Sequence, residues 1–189
     1  ALDVRQTAAI APTLDALFQR LGGIDTIVIN AGVNDVTAIG QGQLDKELRL
    51  IETNLAGAIA TVSAAVAHFL TRGRGHVVGI SSLASLQHIS RQAAYCASKA
   101  GFSMYLKAAR VELRSKGIFV TSILPGFIKT DIVEGVDISK LPFAISATQA
   151  AREMAALIER RVKTGVVPAF PWKFVRPFLG HLPERLARF

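Results

Sequence analysis

The sequence predicts an α/β fold built as a doubly wound parallel sheet, and three observations carry that prediction. Short apolar runs of strand length alternate with longer amphipathic segments of helix length. The run TIVIN, residues 26–30, is apolar on successive positions, as a strand buried on both faces of a parallel sheet would be. Half of the 189 residues are hydrophobic, enough for one domain with a substantial core. Strands separated by helices imply right-handed crossovers and helices on both faces of the sheet.

The elements follow in order. TAAIAPTLDALFQRLGG reads as a helix ended by Gly22 and Gly23, and IDTIVINAG as a strand and turn. Residues 43–73 read as one long helix with acids near its start and Arg72 at its end, as the helix dipole favours. HVVGISS is a second strand, residues 91–117 a helix closed by Gly117, and IFVTSILPG a third strand. An irregular stretch around residues 127–143 precedes a helix N-capped by Ser146, and GVVPAF forms a short last strand. A strand like TIVIN belongs inside a sheet, yet it is the first of any length here, and the opening ALDV resembles the end of a strand. Residues 1–189 are therefore expected to be the C-terminal two-thirds of a larger single domain whose first strands are absent from the chain.

Composition narrows the function. No run of eighteen uninterrupted apolar residues occurs, and the start has neither a basic nor an apolar leader region, which predicts a soluble, cytoplasmic protein. The lone Cys96 excludes an intrachain disulfide and reads as a small packed residue. His68, His76, His88 and His181 lie far apart without companions at ligand spacing, so no metal site is expected. The formal charge of +8 suits an anionic partner, but the basic residues are scattered and lack interleaved aromatics, which disfavours nucleic acid.

The chemistry starts from RQAAYCASKAG, residues 91–101, where Tyr95 and Lys99 stand one turn apart on a helix, close enough for the ammonium to act on the phenol. Spacing alone is unspecific. Four further pieces accompany it in order: NAG at residues 30–32, TNLAG carrying Asn54, ISS ending at Ser82, and PG at residues 125–126 with Thr130 beyond. Together they resemble the short-chain dehydrogenase/reductase family, with its Rossmann-like fold. The resemblance implies that Tyr95 is the general acid/base, Lys99 its activator and a ligand of the nicotinamide ribose, Ser82 the partner of the substrate oxygen, and Asn54 the anchor of a water relay. Ser81 is the rival of Ser82, as a strand-end hydroxyl bonding to backbone. A neighbouring ammonium is expected to favour the phenolate of a tyrosine whose free pKa is about 10.

For the cofactor, NAD or NADP, the resemblance implies Asp3 on the adenine, Asn30 and Gly32 along the adenosine ribose, and Pro125, Gly126, Ile128 and Thr130 over the carboxamide and diphosphate. Ile29 departs from the asparagine common at its position. The larger departure is that no GxxxGxG turn occurs; IGQGQ and LGGID have the wrong spacing and place. Without that turn the pyrophosphate lacks its backbone donors, and the protein is expected to be inactive if Ala1 is its native terminus.

The substrate is expected to be a small apolar alcohol or ketone, because the stretch between Gly126 and Ala147 presents Phe127, Ile132, Val133, Leu141 and Phe143. The tail mixes Trp172, Phe174, Phe178, Leu182, Leu186 and Phe189 with Lys173, Arg176, Arg185 and Arg188. It reads either as an interfacial segment for an anionic membrane or as a cover over the pocket or a subunit contact, and Pro177 and Pro183, which interrupt any helix, favour the cover. The helices bearing Asn54 and Tyr95 resemble the family's dimer-forming pair and imply a homodimer or homotetramer. The alternative function is a non-catalytic, cofactor-binding or scaffolding relative.

Overall fold

The computed structural model describes residues 2–130, 132 and 141–181. Its sheet is four-stranded and parallel throughout, in the order β1 (Thr26–Ile29), β2 (Gly75–Ile80), β3 (Ile118–Pro125), β6 (Thr164–Val167). Helices α1 (Thr7–Arg20), α3 (Ala58–Arg72) and α4 (Ala93–Leu113) cover one face, and α5 (Ala147–Glu159) covers the other. The two cores follow from the period of the strands: on β2, Val77 packs with Phe18, Phe69, Phe102 and Leu106, while Val78 packs with Ile123, Ala150 and Val167. Gly79 lets α4 approach β2 closely, since a Cβ there would lie 2.3 Å from Leu106 Cδ1.

Helix α2 (Leu44–Ile51) runs through a π-helical segment, Glu52–Gly57, into α3. The combined helix, Leu44–Arg72, is 29 residues long with mean hydropathy 1.5 in its most apolar window, long and apolar enough to cross a membrane. A continuous-run criterion misses this because polar residues break the run. Its apolar stripe, with Ala58, Val62, Ala65 and Phe69 buried, is already occupied by α1 and the sheet.

Four expectations need correction. Leu2–Val4 form no strand; Val4 instead lies across the wide helical turn, with its carbonyl oxygen 2.6 Å from where a Cβ on Gly57 would be. The stretch after β3 is not wholly irregular, because β4 (Ile128–Lys129) pairs in parallel with β5 (Ile145–Ser146), two strands too short to leave a periodic signal. Pro177 does not interrupt the tail: α6 (Trp172–Leu179) contains it, and the packing of Trp172, Val175 and Leu179 on Leu83, Leu124 and Val166 holds that short helix despite one lost hydrogen bond. Finally, TIVIN is covered on one face only. Ile29 is buried, whereas Val28, beside the fully buried Val78, is 44% exposed, because among the described residues β1 pairs with β2 alone and α5 packs over β3 and β6. Pro183 lies outside the described residues.

Candidate active site

Parallel strands bring their carboxyl ends to one edge, and the sequence motifs follow those ends. Asn30 and Gly32 leave β1, Ser81 and Ser82 leave β2, and Pro125 and Gly126 close β3. The ladder continues past the strands, with Ser81 N–H donating to Ile123 O at 2.8 Å and Gly126 N–H to Val167 O at 2.8 Å, so these turns are fixed by the sheet. They border a cavity of about 430 Å³.

Helix α4 supplies its opposite wall. The buried stripe of α4 reads Tyr95, Ser98, Lys99, Phe102, Ser103 and Leu106, the spacing of a core-facing helix. A lysine on such a stripe is costly, and Lys99 is only 5% exposed. Burial lowers its pKa from 10.5 to about 8. Its Nζ donates to Ile80 O at 3.3 Å; the other two N–H donors have no acceptor among the described residues. The Nζ lies 5.9 Å from the centroid of the Tyr95 ring. Burial raises the Tyr95 pKa, and the Ser82 hydroxyl opposes that rise as the smaller effect. Desolvation of this nearly buried phenol thus acts against the phenolate that a neighbouring ammonium is expected to favour.

The two serines have separate duties. Ser81, 3% exposed, donates from Oγ to Lys99 O at 3.0 Å and shares a 2.7 Å hydrogen bond with Ser103, tying β2 to α4. Ser82 is partly exposed, faces the phenol, and accepts the Ala84 N–H at 3.1 Å at the start of a short 3₁₀ turn. Asn54 does not line the cavity but stands behind Gly32. Its Oδ1 accepts Val33 N–H at 2.8 Å, and its Nδ2 donates to Val33 O at 2.8 Å and Ser98 Oγ at 3.3 Å. The π segment delivers this carboxamide to the turn after β1, as widened turns often do beside sites. A Cβ on Gly32 would come within 3.2 Å of Asn54 Oδ1 and 3.4 Å of Lys99 Nζ, a tight fit that would press on both side chains.

Asn30, Gly32, Ser82, Tyr95, Lys99, Pro125, Gly126, Ile128 and Thr130 all line the cavity. Asp3 does not. It is exposed and bound by Arg5, which holds its carboxyl at about 2, well below the usual range. Of the aromatic and aliphatic residues expected over the substrate, Phe127, Ile132 and Leu141 line the cavity and Phe143 does not; Val133 lies outside the described residues. Sequence reasoning missed Asn34, Gln92 and Met154, and reached Trp172 only as part of a tail covering the pocket. Asn34 Oδ1 is a buried acceptor without a partner among the described residues, and Trp172 seats its indole on Gly126, edge-on to Phe127 and Phe143. No spacing rule marks such residues, although the aromatic content of the tail was a signal for Trp172. Among the described residues, no three His, Cys, Asp or Glu side chains are grouped to hold a metal.

A family model described as short chain dehydrogenase matches residues 1–140. The chain belongs to that family. It is 36% identical over 176 residues to an uncharacterized oxidoreductase of Myxococcus xanthus, covering 93% of this chain and 68% of the relative. Among solved structures it is similar to a gluconate 5-dehydrogenase from Burkholderia cenocepacia in complex with NADP and tartrate, with a TM-score of 0.67 and 27% identity. That match covers 69% of this chain and 51% of the other, so the chain spans about half of that dehydrogenase. An acetoin dehydrogenase from Salmonella typhimurium shares the fold, with a TM-score of 0.75 at 24% identity over 88% of this chain and 72% of its own. The doubly wound parallel architecture is that of these short-chain dehydrogenase structures.

Proposed function

We propose that this short-chain dehydrogenase family member is a nicotinamide-dependent oxidoreductase that interconverts an apolar alcohol and its ketone. The observation carrying the proposal is a buried phenol, a buried ammonium and a strand-end hydroxyl meeting at one cavity. The residues present fit the nicotinamide-ribose end of NAD or NADP. Gly32 leaves a cradle that a Cβ would fill, and among the described residues Lys99 has two unused donors to meet ribose hydroxyls and Asn34 Oδ1 is an unmet acceptor. The relative solved with NADP supports the same class of cofactor. When bound, that group supplies the hydride.

The chain's own residues handle the oxygen. Tyr95 donates its phenolic proton to the carbonyl oxygen as charge develops there and recovers it in the reverse direction. Ser82 positions that oxygen by hydrogen bonding, and Lys99 holds the ribose and lowers the cost of a transient phenolate. Asn54 fixes the turn carrying Gly32 through Val33 and anchors the water relay by which Tyr95 regains its proton. Phe127, Ile128, Ile132, Leu141, Met154 and Trp172 make the substrate wall predominantly apolar, which selects a hydrophobic alcohol or ketone. The outer sides of α2 and α4 expose Leu44, Leu48, Met104 and Val111, which supports a homodimer or homotetramer formed through these helices.

The deciding experiment compares the protein with its Tyr95→Phe variant on a panel of apolar ketones and secondary alcohols with each nicotinamide cofactor. Turnover should fall about 10²–10⁴-fold while folding and cofactor binding persist. Undiminished turnover in the variant would remove Tyr95 from the chemistry and the proposal with it.

A further inference from the structure

We propose that a second surface, beside the cavity mouth, docks the protein on an anionic lipid membrane. Helix α6 has two apolar sides. Trp172, Val175 and Leu179 turn inward onto Leu83, Leu124 and Val166. Phe174 and Phe178, one turn apart on the other side, are 68% and 66% exposed, and Phe170 just before the helix is 69% exposed. Phe143, 52% exposed, extends this patch: its ring meets Phe170 at 6.3 Å and Trp172 at 6.2 Å between centroids. Since Trp172 and Leu141 line the cavity, the aromatic surface is continuous with its rim. Scattered exposed hydrophobes are ordinary, but four exposed phenylalanines on and beside one short helix, two of them in ring contact, mark a contact surface.

Charge identifies the occupant. Lys173, exposed, flanks Phe174 on the side of α6 away from Val175, and the chain carries a net +8. A two-fold contact with a second copy through these rings would set Lys173 near its own counterpart, which like charges oppose. An anionic bilayer instead accepts the phenyl rings at the headgroup boundary and the ammonium at the phosphates. In that pose the cavity mouth faces the lipid, from which an apolar substrate enters without crossing water. The inference stands independently of the oxidoreductase reading, because its test needs neither cofactor nor turnover.

The full chain is sedimented with vesicles of phosphatidylcholine alone and with phosphatidylglycerol added. Binding should require the anionic lipid and weaken several-fold in molar salt, within which the Debye length shrinks to about 3 Å. The single Trp172 should be quenched by lipids brominated near the headgroup. Phe174→Ser with Phe178→Ser should lower binding about tenfold or more with an unchanged circular dichroism spectrum. Lys173→Glu, which removes no packing, should abolish the preference for anionic vesicles. Equal sedimentation with both vesicle types, or binding that ignores all three substitutions, overturns the proposal. So does a parent that ignores vesicles but loses an oligomer on Phe174→Ser, which would give the patch to a second copy.

Discussion

Lys99 should make the protein less stable than it would be without its charge. Burial holds this ammonium at a pKa of about 8 against an ordinary 10.5. At about 1.4 kcal/mol per pKa unit, that difference amounts to about 3 kcal/mol of destabilisation in the charged form. The sign follows from proton counts. Between pH 10.5 and about 8 the unfolded chain binds more protons at this site than the folded one, so stability falls as pH drops through that window. Below pH 8 the whole penalty is in force. Lys99→Met keeps the unbranched apolar stem and removes the charge, at the expense of the hydrogen bond to Ile80 O, worth about 1 kcal/mol. The variant should therefore be more stable at pH 7 by about 2 kcal/mol, with the gain shrinking toward pH 10.5. Urea denaturation at pH 7 and at pH 10 reads this as a higher midpoint at unchanged slope. If the variant's midpoint equals or falls below the parent's at pH 7, burial is not what depresses this lysine, and the argument for a poised ammonium fails. Turnover should be lost in the same variant, a gain in stability bought by a loss of function.

The two neighbouring serines should separate stability from chemistry. Ser81→Ala breaks the bonds to Lys99 O and Ser103 and should cost about 1–3 kcal/mol in denaturation, whereas Ser82→Ala should cost less than about 1 kcal/mol yet lower turnover about 10²–10³-fold. His76, 2% exposed, donates from Nε2 to Thr121 Oγ1, whose own proton goes to Val162 O; burial, then the charge of Arg161, lower its pKa. Its stabilising contribution is complete above its ordinary 6.5 and is lost as pH falls below that value, so denaturation midpoints should drop between pH 7 and pH 5, and less steeply in His76→Gln. Gly79→Ala drives a methyl into Leu106 and should destabilise by about 1–3 kcal/mol, partly restored by adding Leu106→Ala; thermal unfolding of the single and double variants checks both statements.

What the sequence revealed was set by periodicity and by residues whose chemistry is rare in their context. The strands TIVIN, HVVGISS and IFVTSILPG and the helices between them are long and regular enough for burial to dictate type. Tyr95 and Lys99 were legible because four further motifs accompany them in order, at residues 30–32, 54, 82 and 125–130. What escaped lacks such signals. The pairing of β4 with β5 involves two residues a side, and the formation of α6 around Pro177 depends on an inward face whose partners, Leu83, Leu124 and Val166, are distant in the chain. Asp3 followed its motif on paper, but its nearest cation, Arg5, is two residues away and engages it on the surface. Asn34 enters the cavity only because Asn54 pins the preceding turn, a contact 21 residues apart in sequence.

The widened turn at Glu52–Gly57 has an evolutionary side. A π turn holds one residue more than an α turn, with the surplus absorbed locally. Deleting a single codon there would restore an unbroken α-helix while leaving Leu50 on one flank and Val62 on the other against their present neighbours. Asn54 would lose its station opposite Val33, and Leu55 and Gly57 would shift against Gly101 and Val4. A lineage can thus silence or regain this carboxamide by one in-frame event without passing through an unfolded ancestor, and the length of this helix in any relative tells whether the station is manned.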